Sequence, residues 1–528
     1  MITGKNYVGN TLKAAGNRTF KTFNPQLNTE NPWVFTEASQ EEIEEAVTLA
    51  HQAFGIYKNC SGLEKADFLN AIVDEILALG DDLLVQYCSE SGFPMGRAEG
   101  ERGRMVGQLR SFAQMLTEGS WVQAAIDTAV TDRVPAPKED LRKMMVPLGP
   151  VVVFGSSNFP FAFSTAGGDT ASALAAGCPV IVKSHSMHVG TGEMVASAVI
   201  KAAQKTNMPE GVFSNLVGGG TTLGASLVKH PLVKAVGFTG SIRAGRALFD
   251  LASQRPEPIP VFAEMGSINP VVFLPEALAV NSQKWAAAYA GSITLGAGQF
   301  CTNPGLLIGI KGAELDKFLE ELGQAIEKIE PSCMLHPSMK AGFEEGTETM
   351  LSQTGVSKIA AYKGDTAPNY GVQQILTVDG KTFLENKTLS HEVFGPVSIL
   401  VQCNDEEQLL KIVNQLEGQL TGTIIGEPNE LKEYDKLIKA MQNKVGRLIF
   451  NGVPTGVEVC PSMIHGGPYP ASSDSRFTAV GIHAVYRWVR PFSFQNWPNE
   501  LLPPELQNEN PLQILRTVNN IQTKSQIS

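Results

Sequence analysis

From residue 150 onward, short apolar runs alternate with helical segments, and this alternation constrains the fold more than any other feature of the chain. Ala-rich or amphipathic stretches predict helices at 159–176, 190–205, 222–229 and 243–253. Strands that alternate with helices at this pitch form a parallel, doubly wound sheet, and such a sheet binds ligands at the carboxyl ends of its strands. The sequence therefore predicts an α/β fold. The apolar runs that are interpreted as buried strands are 151–154, 180–183, 213–217, 235–239 and 261–264.

A second α/β stretch follows the first and extends to about residue 450. Its predicted helices are 284–297, 313–328, 405–416 and 429–442. Its predicted strands are 271–274, 305–310, 397–402, 421–425 and 447–450.

The flanking segments show other patterns. Ser39 followed three residues later by Glu42 is a capping box, which marks the start of a helix. Residues 63–118 continue in a helical style. The other expected forms are a helix over 40–54, an extended charged and Pro-rich arm over 132–149, a closing strand over 484–496, and a polar, loosely held tail over 505–528.

Charge and cysteine usage exclude several classes of protein. The 528 residues include 42 Lys and Arg against 53 Asp and Glu, a net charge of −11, and an acidic chain without a basic run is a poor binder of nucleic acid or of anionic membranes. The first ten residues lack the apolar core of a secretory signal, and no apolar stretch has the length and composition of a membrane span. The seven cysteines show neither metal nor disulfide spacing, so we expect no metal and a reducing, cytoplasmic compartment.

Three side chains at predicted turns have the chemistry of a catalytic site. Cys301 lies between an Ala/Gly-rich helix and a strand, where a thiol can meet a substrate; the alternative is a small buried apolar residue. Glu264 ends a strand, where partial burial would make it a general base; the alternative is a solvated carboxylate. Asn158 stands where a strand turns into a helix, so its amide can donate to an oxyanion or cap the helix.

A second group has the chemistry of nucleotide binding. Lys183 ends the second strand and can reach a ribose hydroxyl or a phosphate, although a solvated lysine is the plainer interpretation. Ser186, three residues later, leaves room beside a 2′-phosphate. Gly240 and Ser241 open a helix after the fourth strand, where free backbone N–H groups favour a pyrophosphate.

Two loop residues complete the candidates. Glu392, in the loop 391–396, is a candidate acceptor for ribose hydroxyls, and taken alone it is no better than a surface glutamate. His465 precedes a pair of glycines and can line a pocket or shuttle protons, with a structural histidine as the alternative.

In combination these segments resemble the aldehyde dehydrogenase superfamily from about residue 5 to residue 500. The likeness is greatest to the α-ketoglutaric semialdehyde (2,5-dioxovalerate) dehydrogenases, and bacterial NADP-dependent fatty aldehyde dehydrogenases are similar too; residues 101–113, 157–185 and 465–474 carry this closer resemblance. The family motifs occur in the family order. They are FGSSNFP (154–160), VIVK (180–183), FTGS (238–241), EMGSINP (264–270), GQFCTNPG (298–305), EVFGPV (392–397) and FNG (450–452).

The resemblance implies a role for each matching residue. Cys301 would add to the aldehyde as a thiolate, and the Asn158 amide with the Cys301 backbone N–H would hold the oxyanion. Glu264 would activate the water that hydrolyses the thioester. The implied cofactor-binding residues are Lys183, Ser186, Gly240, Ser241, Glu392 and Phe394.

The resemblance also implies a cofactor and an architecture. The family pattern has an acidic residue where Ser186 stands, and a hydroxyl tolerates a 2′-phosphate that a carboxylate would repel, so NADP is favoured, with NAD as the alternative. The basic residue that often assists near 220–222 is absent. A homodimer or homotetramer is expected. The implied units are a dinucleotide-binding domain (1–128 and 150–265), a catalytic domain (266–478), an oligomerisation flap (129–149 and 479–504) and a C-terminal tail (505–528).

For the substrate, the resemblance implies α-ketoglutaric semialdehyde, which would be oxidised to 2-oxoglutarate. A keto acid needs a cation for its carboxylate, and Arg110 is the candidate, with a surface arginine as the alternative. A medium or long aliphatic aldehyde is the second hypothesis, because Phe159, Phe163 and Phe477 would suit an acyl chain. A CoA-acylating relative is disfavoured because Glu264 is present.

Overall fold

The computed structural model describes residues 2–527, which form three large sheets, three two-stranded ones and fourteen α-helices. The strands up to residue 264 are Asn6–Val8 (β1), Thr11–Lys13 (β2), Thr19–Phe20 (β3), Phe23–Asn24 (β4), Thr29–Glu30 (β5), Phe35–Thr36 (β6), Ala125–Asp127 (β7), Leu141–Pro147 (β8), Val151–Phe154 (β9), Val180–Lys183 (β10), Phe213–Leu216 (β11), Ala235–Thr239 (β12) and Val261–Glu264 (β13). The later strands are Val271–Phe273 (β14), Leu306–Ile310 (β15), Ser332–Cys333 (β16), Ser357–Ala361 (β17), Tyr370–Gly371 (β18), Gln374–Asp379 (β19), Val397–Cys403 (β20), Gln419–Ile425 (β21), Val445–Phe450 (β22), Val489–Gln495 (β23), Arg516–Val518 (β24) and Ile521–Thr523 (β25).

The helices lie between the strands in the chain. They are Gln40–Tyr57 (α1), Gly62–Ala78 (α2), Gly80–Ser91 (α3), Met95–Glu118 (α4), Gly168–Ala176 (α5), Val189–Lys205 (α6), Ala225–Lys229 (α7), Ile242–Ser253 (α8), Pro275–Thr294 (α9), Ala313–Lys328 (α10), Pro337–Leu351 (α11), Gly380–Glu385 (α12), Glu406–Gln415 (α13) and Asp435–Gln442 (α14).

The first sheet has the order β13-β12-β9-β10-β11-β1-β2, and its strands β9 to β13 are parallel. Its central strands are buried on both faces, which explains why they read as continuous apolar runs. The register places Lys183 opposite Phe154 and Thr239 opposite Glu264, so the carboxyl ends of four strands meet at one edge. The five predicted strands are confirmed, whereas the antiparallel β1–β2 hairpin at the sheet edge was not predicted.

The predicted helix over 159–176 is wrong in its first half, because helical structure begins only at Gly168. Residues 157–167 form turns, and the Glu101 carboxylate accepts hydrogen bonds from the backbone N–H groups of Phe161 (2.8 Å) and Ala162 (3.0 Å). A side chain of α4 thus provides the hydrogen bonds that helical carbonyl groups would otherwise provide to these two amides. The segment after β9 can therefore form turns in place of a helix.

The second sheet has the order β17-β19-β20-β15-β14-β21-β22. The five predicted strands are confirmed, while β17 and β19 were not predicted. Within α9, Asn281 has a non-helical backbone, and its side chain accepts a hydrogen bond from the Lys284 N–H at 3.0 Å. The long part of α9 therefore begins after Asn281, close to the predicted start at residue 284, and the short piece from Pro275 was not predicted.

The third sheet has the order β23-β8-β7-β24-β25 and joins distant parts of the chain. The arm predicted over 132–149 contributes β8, which pairs antiparallel with β23. The strand predicted over 484–496 begins only at Val489, because Ile482–Trp488 is a 3-10 helix.

The expectation of a loosely held tail over 505–528 is wrong for the described residues, which end at 527. Strand β24 pairs with β7, and Leu506 and Ile514 pack into an apolar cluster with Ile126. The guanidinium of Arg516, which is 1% exposed, donates to the backbone carbonyls of Glu505 and Asn508, among others. Within residues 2–527, no helix combines the length and the apolar character needed to cross a membrane.

Candidate active site

Cys301 is placed by a sharp turn of the chain after α9. Residues Leu295–Gly298 include left-handed backbone, and a Cβ at Gly298 (φ 65°) would overlap the carbonyl group of Gly395, so only glycine fits there. The side-chain amide of Asn269 donates to the Cys301 carbonyl at 2.8 Å. The backbone around the thiol is therefore fixed by the close approach of Gly298 to Gly395 and by the hydrogen bond from Asn269.

Glu264 and His465 meet because a distant loop runs beside the last strand of the first sheet. The backbone N–H of Met265 donates to the Ala471 carbonyl at 2.8 Å, and the N–H of Ser473 donates to the Ala263 carbonyl at 2.9 Å. This pairing brings the loop that contains His465 to the carboxyl end of β13, where Glu264 stands.

The three groups form a compact cluster. His465 Nε2 lies 3.4 Å from Cys301 Sγ and 3.0 Å from Glu264 Oε1, and the three ligand atoms all lie within 4.8 Å of one another. Glu264 is 4% exposed and His465 is 3% exposed. Neither Glu264 oxygen has a well-directed hydrogen bond within residues 2–527, so the carboxylate keeps acceptor capacity for a water molecule. These residue types also bind transition metals, and the absence of a metal stays a prediction.

The electrostatics of the cluster keep the thiol protonated at rest. Burial raises the pKa of Cys301 well above its ordinary value, and the nearby Glu264 carboxylate raises it further, while the Arg104 guanidinium acts in the opposite direction. A thiolate is the reactive form of cysteine, so a neighbouring base has to remove the proton when the substrate is present. His465 Nε2 is the nitrogen within reach.

Asn158 lies four residues beyond β9 and borders the same turn. Its side-chain amide nitrogen donates to the Gln299 carbonyl at 3.1 Å, two residues before Cys301. Arg97 donates from Nη2 to the Asn158 carbonyl at 2.9 Å. The structure therefore brings together the predicted thiol, carboxylate, amide and imidazole.

An aromatic cluster lines the approach to the thiol. The Phe159 ring lies 5.6 Å from Phe163 and 5.5 Å from Phe300, and Phe163 lies 6.0 Å from the His465 ring (centroid distances). Phe159 and Phe163, two of the three predicted pocket phenylalanines, belong to this cluster, with Ala162, Ala479 and Val480.

Two predicted pocket residues are not brought to this cluster. Arg110 is exposed on α4. The Phe477 ring packs on Phe262, 5.1 Å away, rather than on Phe159 and Phe163. The exposure of Arg110 corrects its placement in a substrate pocket, whereas the placement of Phe477 stays a prediction.

The residues predicted to bind a cofactor lie at or near the carboxyl edge of the first sheet. Lys183 is 8% exposed at the end of β10, and its burial lowers the pKa of the ammonium group to about 8 against the opposing effect of Glu37. Ser186 is exposed. Gly240 and Ser241 are exposed at the start of α8, where the Ser241 hydroxyl accepts from the N–H of Ala244 at 3.3 Å.

Glu392 reaches this edge from the second sheet's side of the molecule. Its Oε1 accepts from the Ser267 N–H at 3.3 Å, and a Cβ at Gly266 would lie only 2.5 Å from its Oε2, so the glycine makes room for the carboxylate. Burial raises the pKa of Glu392 to about 7. Phe394, two residues on, is half-buried and lines a small cavity with Glu392.

These groups fit a dinucleotide. A helix N-terminus with exposed backbone N–H groups suits a pyrophosphate, and an ammonium and a carboxylate at the same edge suit ribose hydroxyls. The sequence reasoning missed Glu37, whose carboxylate acts on Lys183 and lies 3.7 Å from the Arg18 guanidinium. Both residues precede the β/α alternation, and no local pattern marks them.

A thiol, an imidazole, a carboxylate and a side-chain amide at the mouth of an α/β sheet define an enzyme that attacks a carbonyl group through cysteine. Residues 12–468 match the aldehyde dehydrogenase family, and the chain belongs to that family. It is therefore an enzyme that oxidises an aldehyde with a nicotinamide dinucleotide.

Two relatives are similar over nearly the whole chain. The chain is 46% identical over 516 residues to alpha-ketoglutaric semialdehyde dehydrogenase 2 of Azospirillum brasilense, covering 98% of each protein. It is 43% identical over 523 residues to the alpha-ketoglutaric semialdehyde dehydrogenase of Acinetobacter baylyi, covering 99% of each. The solved structure of 1-pyrroline-5-carboxylate dehydrogenase from Thermus with bound NAD shares the fold, with a TM-score of 0.77 at 21% identity over 93% of this chain and 92% of that one.

Proposed function

We propose that this aldehyde dehydrogenase oxidises α-ketoglutaric semialdehyde to 2-oxoglutarate, with NADP favoured and NAD as the alternative acceptor. The observation that carries the substrate is the identity of 46% and 43% to two enzymes of that name over essentially their full lengths. The site geometry supports the reaction, since the groups for thiol addition and thioester hydrolysis lie within a few ångströms of one another.

Cys301 is the proposed nucleophile and His465 the group that takes its proton. As the sulfur bonds to the aldehyde carbon, the carbonyl π bond breaks and its electron pair moves to oxygen. The Asn158 amide, beside the Cys301 turn, donates to that oxyanion, as does the Cys301 backbone N–H. The product of this step is a thiohemiacetal on Cys301.

A bound nicotinamide dinucleotide would supply the acceptor for the hydride lost from the thiohemiacetal carbon, and Cys301 would then carry a thioester. Glu264 then takes a proton from water as the water oxygen bonds to the thioester carbon. The carbon–sulfur bond breaks, the carboxylic acid leaves and the sulfur recovers a proton. Glu264 Oε2, which has no partner within residues 2–527, suits this role.

Lys183 and Glu392 are proposed to hold the two riboses, and Gly240 and Ser241 the pyrophosphate, with Phe394 beside Glu392. The preference for NADP rests on Ser186, an exposed hydroxyl where a carboxylate would repel a 2′-phosphate. Arg18, at a cavity of about 400 Å³ shared with Thr222 and Leu223, adds positive charge near the end of β11.

The role of Glu392 predicts a pH dependence of cofactor binding. The carboxylate accepts ribose hydroxyls best when ionised, and its pKa is raised to about 7, so cofactor binding should strengthen as the pH rises through that value. We expect the KM for the cofactor to fall by roughly tenfold between about pH 6 and pH 8 at saturating aldehyde. In Glu392→Gln this dependence should disappear; a KM that stays flat in the unmodified enzyme would contradict the assignment.

The aromatic cluster of Phe159, Phe163 and Phe300 also suits an aliphatic chain, which makes a medium or long fatty aldehyde the second candidate substrate. The third candidate reaction is transfer of the acyl group to CoA. The presence of Glu264 beside Cys301 argues against it, because hydrolysis by water needs a general base and exchange with the CoA thiol does not.

A crossed assay tests these assignments. Formation of reduced cofactor is measured with NADP and with NAD, each with α-ketoglutaric semialdehyde and with a straight-chain aldehyde. We expect the largest kcat/KM for the keto acid semialdehyde with NADP, and 2-oxoglutarate as the product. A preference for the straight-chain aldehyde would overturn the substrate assignment, and a requirement for CoA would overturn hydrolysis.

The same enzyme is proposed to be a cytoplasmic homodimer or homotetramer. All seven cysteines are free thiols, as expected for a protein kept in a reducing compartment. Strand β23 ends the third sheet with one side unpaired, and a sheet edge of this kind can pair with another copy of the chain.

A further inference from the structure

Arg104, a half-buried residue of α4, has two guanidinium nitrogens that the protein itself does not satisfy. Its Nε and Nη2 are shielded from solvent and have no hydrogen-bond partner, and no carboxylate within residues 2–527 forms an ion pair with it. These two nitrogens share one edge of the guanidinium plane, the edge that binds a carboxylate with two parallel hydrogen bonds. Buried polar groups are normally paired, so this edge points to a ligand that arrives from outside the chain.

The neighbouring arginine on the same helix shows the contrast. Arg97 donates to the Asn158 carbonyl at 2.9 Å and stacks on Phe93, with its guanidinium 3.8 Å from the ring centroid. Glu101, between the two arginines, already accepts from Tyr87 and from two backbone amides. Arg97 and Glu101 thus already form hydrogen bonds within the protein, whereas Nε and Nη2 of Arg104 form none.

Arg104 faces the approach to the thiol. Its guanidinium lies 5.7 Å from the Phe159 ring and 5.3 Å from the Phe163 ring, the aromatic cluster that also contains Phe300, the residue before Cys301. The carboxylates whose charges act on it are those of Glu101, Glu264 and the exposed Glu458. With Arg97, Phe159 and Phe300 it lines an open cavity of about 690 Å³.

We propose that Arg104 binds the carboxylate of the substrate through Nε and Nη2, and so selects an aldehyde acid over a neutral aldehyde. The proposal rests on the proposed function. In α-ketoglutaric semialdehyde, three carbons separate the aldehyde carbon from the carboxylate carbon. A substrate held by its carboxylate at Arg104 would extend past the aromatic cluster toward Cys301.

The test compares Arg104→Met with Arg110→Met, an exposed arginine on the same helix. The substrates are α-ketoglutaric semialdehyde and pentanal, a neutral aldehyde of equal chain length, at saturating cofactor. For Arg104→Met we expect KM for the semialdehyde to rise by about 100-fold, with kcat/KM for pentanal changed by less than about threefold. Arg110→Met should match the unmodified enzyme on both. Equal losses on both aldehydes, or no loss on either, would overturn the proposal.

A binding readout keeps the proposal separate from the proposed substrate. Alkylation of Cys301 by iodoacetamide is followed by mass spectrometry of the tryptic peptide, with and without 2-oxoglutarate. We expect 2-oxoglutarate to protect Cys301 in the unmodified enzyme and in Arg110→Met, and not in Arg104→Met. Protection that persists in Arg104→Met would refute the carboxylate site. Loss of protection together with poor turnover of the semialdehyde by the unmodified enzyme would retain Arg104 as a carboxylate site and refute the proposed substrate.

Discussion

Cys301→Ala is expected to lower kcat by at least about 10⁴-fold, because the reaction then has no sulfur to hold the aldehyde carbon during hydride loss. His465 and Glu264 would remain beside an empty position, and neither group can form the thioester. Formation of reduced cofactor in steady state and in the first turnover measures the loss, and both should vanish together.

Cys88→Ala is the matched control, since this half-buried thiol lies on α3, outside the catalytic cluster. It should retain turnover within about twofold, at a small cost in stability. Substantial first-turnover product in Cys301→Ala would show that another group attacks the aldehyde, and the assignment of the nucleophile would then be wrong.

Glu264→Gln is expected to separate the two halves of the reaction. The amide keeps the shape of the side chain and cannot take a proton from water, so the thioester should form and then persist. We expect a burst of one reduced cofactor per active site, followed by a steady-state rate about 10³-fold below that of the unmodified enzyme. Mass spectrometry should find the acyl group on Cys301.

The burst serves as the internal control, because its full amplitude shows that the cysteine, the oxyanion donors and the cofactor site are intact. Loss of the burst itself would mean that Glu264, rather than His465, is the group that deprotonates Cys301. An unchanged steady-state rate would show that a different base activates the water.

The sequence predicted those parts of the fold that have a local signature. The ten strands of the two α/β stretches were found because buried parallel strands read as apolar runs between helices. The β1–β2 hairpin was missed because each strand has three residues, and β24 because its partner, β7, lies far away in the sequence. Residues 159–167 contain apolar side chains at helical density, but Glu101 satisfies two of their amides and the segment turns.

The candidate site shows the same division. Cys301, Glu264 and Asn158 stand at boundaries between predicted elements, and the family resemblance implied that they act together. The prediction of Arg110 failed because the sequence does not give the orientation of α4, which leaves Arg110 exposed.

The third sheet has a consequence for how the chain is synthesised. Thr128, just after β7, and Asn519, in the β24–β25 turn, are 391 residues apart in the sequence, and the Asn519 side-chain amide donates to the Thr128 hydroxyl at 2.9 Å. Strands β7 and β8 leave the ribosome early, yet their outer partners β23 and β24 follow only after both large parallel sheets have been translated. Until β23 and β24 are translated, the paired strands β7 and β8 therefore have two open edges, and open edges of this kind can pair with other chains.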